Sequence, residues 1–89
     1  FILTNGESYC SLPLAQDHKK IGDGETGPNT GGMGTVAPIP ILADEHERIL
    51  KTVVEPTVRH LKEKKMMYRG VLFIGLMMTA DGPSVLEFN

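Results

Sequence analysis

The chain ends in a pattern that could hold a cation. In Val85-Leu86-Glu87-Phe88-Asn89, a strand would send successive side chains to opposite faces, so Leu86 and Phe88 share one face and Val85, Glu87 and Asn89 share the other. Glu87 and Asn89 would then stand about 7 Å apart along the strand. A carboxylate and an amide carbonyl are hard oxygen donors. They suit magnesium, which commonly takes one or two protein oxygens together with nucleotide phosphates. The same spacing also describes the solvated face of a half-exposed strand, and spacing alone does not choose between the two.

A second candidate is Gly27-Pro28-Asn29-Thr30-Gly31-Gly32-Met33-Gly34. Four glycines in eight residues let backbone amides come close to a ligand, and consecutive amides can form an anion-holding concavity. A flexible surface loop has the same composition. Upstream, Asp17-His18-Lys19-Lys20 offers one acceptor and three donors. The cations suit a phosphate and Asp17 suits an amine or a hydroxyl, although a polar strand end looks no different. Between the two lies Gly22-Asp23-Gly24-Glu25-Thr26-Gly27, which matches G-x-G-x-x-G. A dinucleotide site needs a strand before that motif and a helix opening at its glycines. Here Pro28 and more glycines follow, and Asp23 and Glu25 would repel a pyrophosphate, so the match is excluded. His46 and His60 are read as surface residues. Met66, Met67, Met77 and Met78 are read as core filling.

The elements that must position these groups read as α+β. Residues 1–4 and 9–15 form a hairpin across Asn5-Gly6, a dipeptide that tolerates the left-handed conformation, with Pro13 marking an edge or an irregular end. Residues 16–40 form a long loop of functional character. A helix follows from Asp44 to about residue 65. Asp44 has capping-box spacing to Glu47, and Ile49, Leu50, Val53, Val54, Val58 and Leu61 recur at helical intervals. Pro56 should kink it near residues 52–54. Residues 70–79 read as a strand apolar on both faces, hence covered on both sides. Asp81-Gly82 is a turn signal, and residues 84–89 form the partner strand. The expected architecture is an antiparallel sheet of about four strands packed with one kinked helix.

The composition narrows the function classes. Nine Lys plus Arg against eleven Asp plus Glu give no electrostatic reason to expect nucleic acid or a polybasic membrane patch. One cysteine, Cys10, forms no internal disulfide and no zinc site. No run reaches the ~18 apolar residues of a membrane span.

Taken in order, Gln16 to Lys20, Gly22-Asp23-Gly24, Thr26 to Gly34, the helix, Gly75-Leu76-Met77 and Leu86-Glu87-Phe88-Asn89 resemble the phosphoribosylamine–glycine ligase family of ATP-grasp enzymes. The match covers essentially the whole chain. The resemblance implies a reaction in which glycine's carboxylate is phosphorylated by ATP and then attacked by the amine of 5-phosphoribosylamine, giving glycinamide ribonucleotide, ADP and phosphate. It implies ATP and Mg2+ (or Mn2+) as cofactors, with Glu87 and Asn89 as metal ligands. It implies substrate contacts from Asp17, His18, Lys19 and the stretch Gly27, Pro28, Asn29, Thr30, Gly31, Gly32, Met33 and Gly34. Catalytic residues are not assigned. It also implies that residues 1–89 are part of a catalytic domain cut at both ends, that the remaining domains are its partners, and that the parent is cytoplasmic or organellar. The isolated piece is expected to be inactive and to expose apolar surface. Two departures stand out: Lys20 replaces a common Arg, losing its planar fork, and Thr35-Val36 replaces a common Ala-Tyr pair. The alternatives are an ATP-grasp carbon–nitrogen ligase with a different acceptor, or a small non-catalytic binding module.

Overall fold

A computed structural model describes all 89 residues, Phe1–Asn89. The first strands, β1 (Ile2–Thr4) and β2 (Tyr9–Ser11), pair antiparallel with Thr4 opposite Tyr9. The expected hairpin is present, but its loop runs over the four residues between them rather than two. Asn5 Oδ1 explains the width, because it accepts the backbone N–H groups of Glu7 and Ser8, both at 2.9 Å. Such an Asx-type turn satisfies loop amides that a two-residue turn would leave to the strands. Gly6 takes φ +94° there.

The stretch expected as a loop is instead a nested arm. An outer rung joins β3 (Gln16–Asp17) to β6 (Thr35–Val36), and an inner hairpin joins β4 (Lys20–Gly22) to β5 (Thr26–Asn29). Backbone bonds from His18 to Gly34, from Met33 to His18 and from Thr30 to Lys19 fill the space between the rungs. Glycine-rich composition concealed this pairing, since these strands have few side chains with which to announce a period.

Helix α1 (Ala43–Ile49) begins after Leu42, whose side chain makes no cap; Asp44 lies inside the first turn and is not the N-cap. There its charge faces the positive end of the helix dipole. A π-helical segment, Leu50–Val54, links α1 to α2 (Glu55–Glu63). The cause is Pro56, which has no N–H to donate. The Glu55 amide donates to the Leu50 carbonyl five residues back, and the Thr57 hydroxyl donates to the Val53 carbonyl at 2.7 Å. The expected kink therefore takes the form of a widened turn, and the backbone stays right-handed on both sides of it.

The run expected as one strand divides at Phe73. Its first part, β7 (Gly70–Leu72), pairs with β1, and its second, β8 (Ile74–Thr79), pairs with β9 (Gly82–Phe88). The class is α+β, as expected, but the strands form four small antiparallel sheets. The last turn centres on Ala80 and Asp81, one residue before the expected dipeptide, because Thr79 pairs with Gly82. Arg48 fixes this shift. Its guanidinium donates to the Asp81 carbonyl at 3.0 Å and lies across Gly82, where a β-carbon would come within 2.7 Å of it.

The core is small: Ile2, Ile49, Val54, Val58 and Leu72 pack together, ringed by Tyr9, Leu50, Leu61 and Ile74 among others. Partial desolvation, then the neighbouring Glu55 carboxylate, raise the Tyr9 phenol above its ordinary range. Only 8 of 89 residues are buried, and the radius of gyration, 14.4 Å, exceeds the ~12 Å expected of a compact chain this long. Met66, Met67, Met77 and Met78 are exposed rather than core-filling. His60 is exposed as expected, but His46 is half-buried and its Nε2 has no partner. Leu72→Ala should cost ~2–5 kcal/mol in chemical denaturation. Leu86→Ala, at a position 63% exposed, should stay within ~0.5 kcal/mol.

Candidate functional site

The β8–β9 ladder sets the oxygen donors. Gly75 pairs with Glu87 and Leu76 with Val85, so Leu86 is a bulged residue. The bulge breaks the strict alternation read from the sequence. Cross-strand partners share a face, which puts Val85 with Leu76 and Phe88 with Ile74. Val85 and Phe88 accordingly line one apolar groove with Pro56, Leu61 and Leu72. Val85 is therefore not on the Glu87 face. Glu87 lies on the opposite face with Gly75, and Asn89 follows it there, exchanging backbone bonds with Phe73 at 2.8 and 2.9 Å. The expected pairing of Glu87 with Asn89 on one face survives the bulge, because both lie beyond it.

The arm meets this face through Lys19, whose Nζ stands 4.0 Å from Glu87 Oε1. Both side chains are about half-exposed, at 47% and 50%, so the pair adds little stability. Its value is positional, since it brings two separately read motifs to one place. His18 turns elsewhere: its Nδ1 is 2.9 Å from Glu25 Oε1 at the arm's tip. Asp17 lies against Gly32, where a β-carbon would be 3.2 Å from Asp17 Oδ1. Gly32 and Gly34 take φ +143° and +135°. Thr30 Oγ1 accepts the Gly32 amide at 3.1 Å. Gly31, Gly32, Met33 and Gly34 are all exposed. Gly27, Pro28 and Asn29 belong to β5. The G-x-G-x-x-G match forms the tip of the inner hairpin and opens no helix.

No group of three or more His, Cys, Asp or Glu side chains is gathered to hold a metal ion. Glu87 is the one acid on its face of the ladder near Asn89. One carboxylate and one amide oxygen, both facing solvent, fit a hard cation that also takes phosphate and water oxygens.

The family model for the phosphoribosylglycinamide synthetase ATP-grasp (A) domain matches residues 1–89. The chain belongs to that family. Among its relatives, the phosphoribosylamine–glycine ligase of Rhizobium meliloti is 50% identical across the whole chain. The trifunctional purine biosynthetic protein adenosine-3 of Drosophila melanogaster is 49% identical over 97% of it. A crystal structure of phosphoribosylamine–glycine ligase from Thermotoga maritima superposes with a TM-score of 0.86 at 36% identity over 99% of the chain. The chain spans about a fifth of these ligases, 21% of the Rhizobium protein and 22% of the Thermotoga chain, and 6% of the Drosophila protein.

Sequence reasoning missed three features of this ATP-grasp segment: the Lys19–Glu87 contact, the His18–Glu25 contact and the seat that Gly75 gives Glu87. Only Gly75 left a signal, as a glycine inside an apolar strand. The arm's geometry makes its own prediction. Gly27 has φ +84°, and a β-carbon there would sit 2.9 Å from Ile21 Cγ2. Gly27→Ala should weaken the inner hairpin by ~1–2 kcal/mol, read as faster amide exchange over residues 20–29. Gly31→Ala, with open space around it, should leave that exchange unchanged.

Proposed function

We propose that the protein carrying this segment joins glycine to 5-phosphoribosylamine, converting ATP to ADP and phosphate. The observation that carries this reading is Lys19 Nζ at 4.0 Å from Glu87 Oε1. It joins the arm, with groups suited to a phosphorylated amine, to the strand whose oxygens suit a nucleotide-bound cation. The names of the relatives, phosphoribosylamine–glycine ligases, support the choice of substrates. An exposed free Cys10 is in keeping with a reducing cytoplasmic or organellar site. No helix is long and apolar enough to cross a membrane.

On this reading Glu87 and Asn89 hold Mg2+ or Mn2+ from one face of β9. A divalent cation there offsets repulsion between glycine's carboxylate and the phosphoryl oxygens. Lys19 adds a positive charge beside the same oxygens, where phosphoryl transfer gathers negative charge. Asp17 and His18 serve the acceptor, and the loop from Gly27 to Gly34 closes over the acceptor end rather than the adenine end. The glycines let its backbone reach the ligand. Residues outside this segment complete the nucleotide site. The 89 residues alone are therefore not expected to ligate, since alignment of both substrates supplies much of such a rate.

In the full-length protein, ADP release should require both glycine and phosphoribosylamine. Release driven by another amine acceptor instead would assign a different ATP-grasp ligation. Glu87→Gln keeps the shape and removes the charge. It should raise the metal concentration needed for half-maximal turnover at least ~10-fold, given that even outer partners of metal ligands are worth that much.

The acceptor assignment has a separate test. Gly32→Val would push on the Asp17 carboxylate and strain a φ of +143°. It should raise the KM for phosphoribosylamine ~10-fold or more, as small misplacements do, and leave the KM for ATP nearly unchanged. A loss confined to ATP would contradict the acceptor-end position.

A further inference from the structure

Gly75 has an ordinary extended backbone, outside the left-handed φ range in which seven other glycines of the chain lie. Its conformation therefore does not call for glycine, and a strand glycine of this kind usually marks a close approach. What approaches is Glu87. A β-carbon on Gly75 would lie 3.0 Å from Glu87 Cγ and 3.3 Å from the Phe73 ring, inside the ~3.5–4.0 Å of good carbon–carbon contact. The Glu87 stem thus rests on the bare backbone of Gly75, beside the Phe73 ring. That wall is itself held. Phe73 exchanges both backbone bonds with Asn89, and its ring packs on Phe1 with centroids 5.1 Å apart. The bulge at Leu86 adds local twist that re-aims neighbouring side chains.

An exposed glutamate on a strand normally samples many rotamers, and ordering it costs entropy. A flat seat with one aromatic wall removes part of that freedom before any ligand arrives. We infer that Gly75 is a positioning residue for the divalent cation: its missing side chain, with Phe73 beside it, aims the Glu87 carboxylate along the face shared with Asn89. This rests on the reading of Glu87 as a cation ligand.

The test is a double-mutant cycle in the full-length protein with ATP present, reading Mn2+ affinity from the electron paramagnetic resonance of free Mn2+. Thermal unfolding of each variant is recorded beside it. Gly75→Val should weaken Mn2+ binding ~10-fold, the size of effect that outer groups around a metal ligand have. Gly75→Ala, adding one methyl, should weaken it less, and it keeps the test usable if Val loosens the ladder. In the Glu87→Gln background neither change should weaken binding further, because there is no charged ligand left to aim. Unchanged Mn2+ affinity in folded Gly75 variants, or an equal further loss in the Glu87→Gln background, would overturn the inference. If Glu87→Gln alone leaves Mn2+ affinity unchanged, the cation-ligand reading fails and the inference falls with it. If Glu87→Gln weakens binding but the Gly75 variants do not, only the seat fails.

Discussion

Phe73 and Asn89 exchange backbone hydrogen bonds in both directions, and most of what distinguishes this segment depends on that exchange. Upstream of Phe73 the chain is paired with β1; from Phe73 onward it is paired with β9. The exchange closes the end of the β8–β9 ladder and so fixes its register. The register puts Gly75 opposite Glu87, and the bulge then turns Val85 toward the helix while leaving Glu87 on the other face. A slip of one residue would reverse every side chain of β9, carrying the carboxylate into the apolar groove and Phe88 into solvent.

The outline of this fold was legible because its signals are local. Asn5-Gly6, the helical recurrence from Ile49 to Leu61 and the apolar run around Leu72 each report on a few neighbouring residues, and each produced the expected type of element. What was hidden depends on partners distant in sequence. The nested arm needs Asp17 to find Thr35, and glycines between them carry no period. The bulge at Leu86 depends on which residues β8 offers. The methionines follow the same logic: Met66 and Met67 look like core from composition, yet nothing in these 89 residues covers them. Glu87 and Asn89 were legible as a pair for a reason that happens to be robust, since an insertion before both leaves their mutual spacing intact. Lys19 reaching Glu87 had no local sign at all.

The balance of apolar surface also follows from the topology. Ile2, Thr4 and Leu72 are buried while their neighbours Leu3 and Val71 are 44% and 51% exposed. Alternation thus divides the central strands into a face packed under the helix and a face left bare. Phe1 and Phe73 stack on each other without closing that face. One helical run of this length covers one layer, which is why so small a core supports so extended a chain.

The widened turn at Leu50–Val54 has a consequence for how the helix can change over time. Each residue of an α-helix advances about 100° around the axis, and a π segment holds one more residue than the regular turn it replaces. Deleting a single residue there would restore the ordinary winding but rotate everything after it by that angle. Val58 and Leu61 would swing off the core, and Arg59 and Lys62 would swing toward it. The two halves of the helix are thus indexed separately, the first by Arg48 on the β8–β9 turn and the second by Val58 on the core. Insertions and deletions in this stretch are constrained by phase, whereas substitutions that preserve length are not.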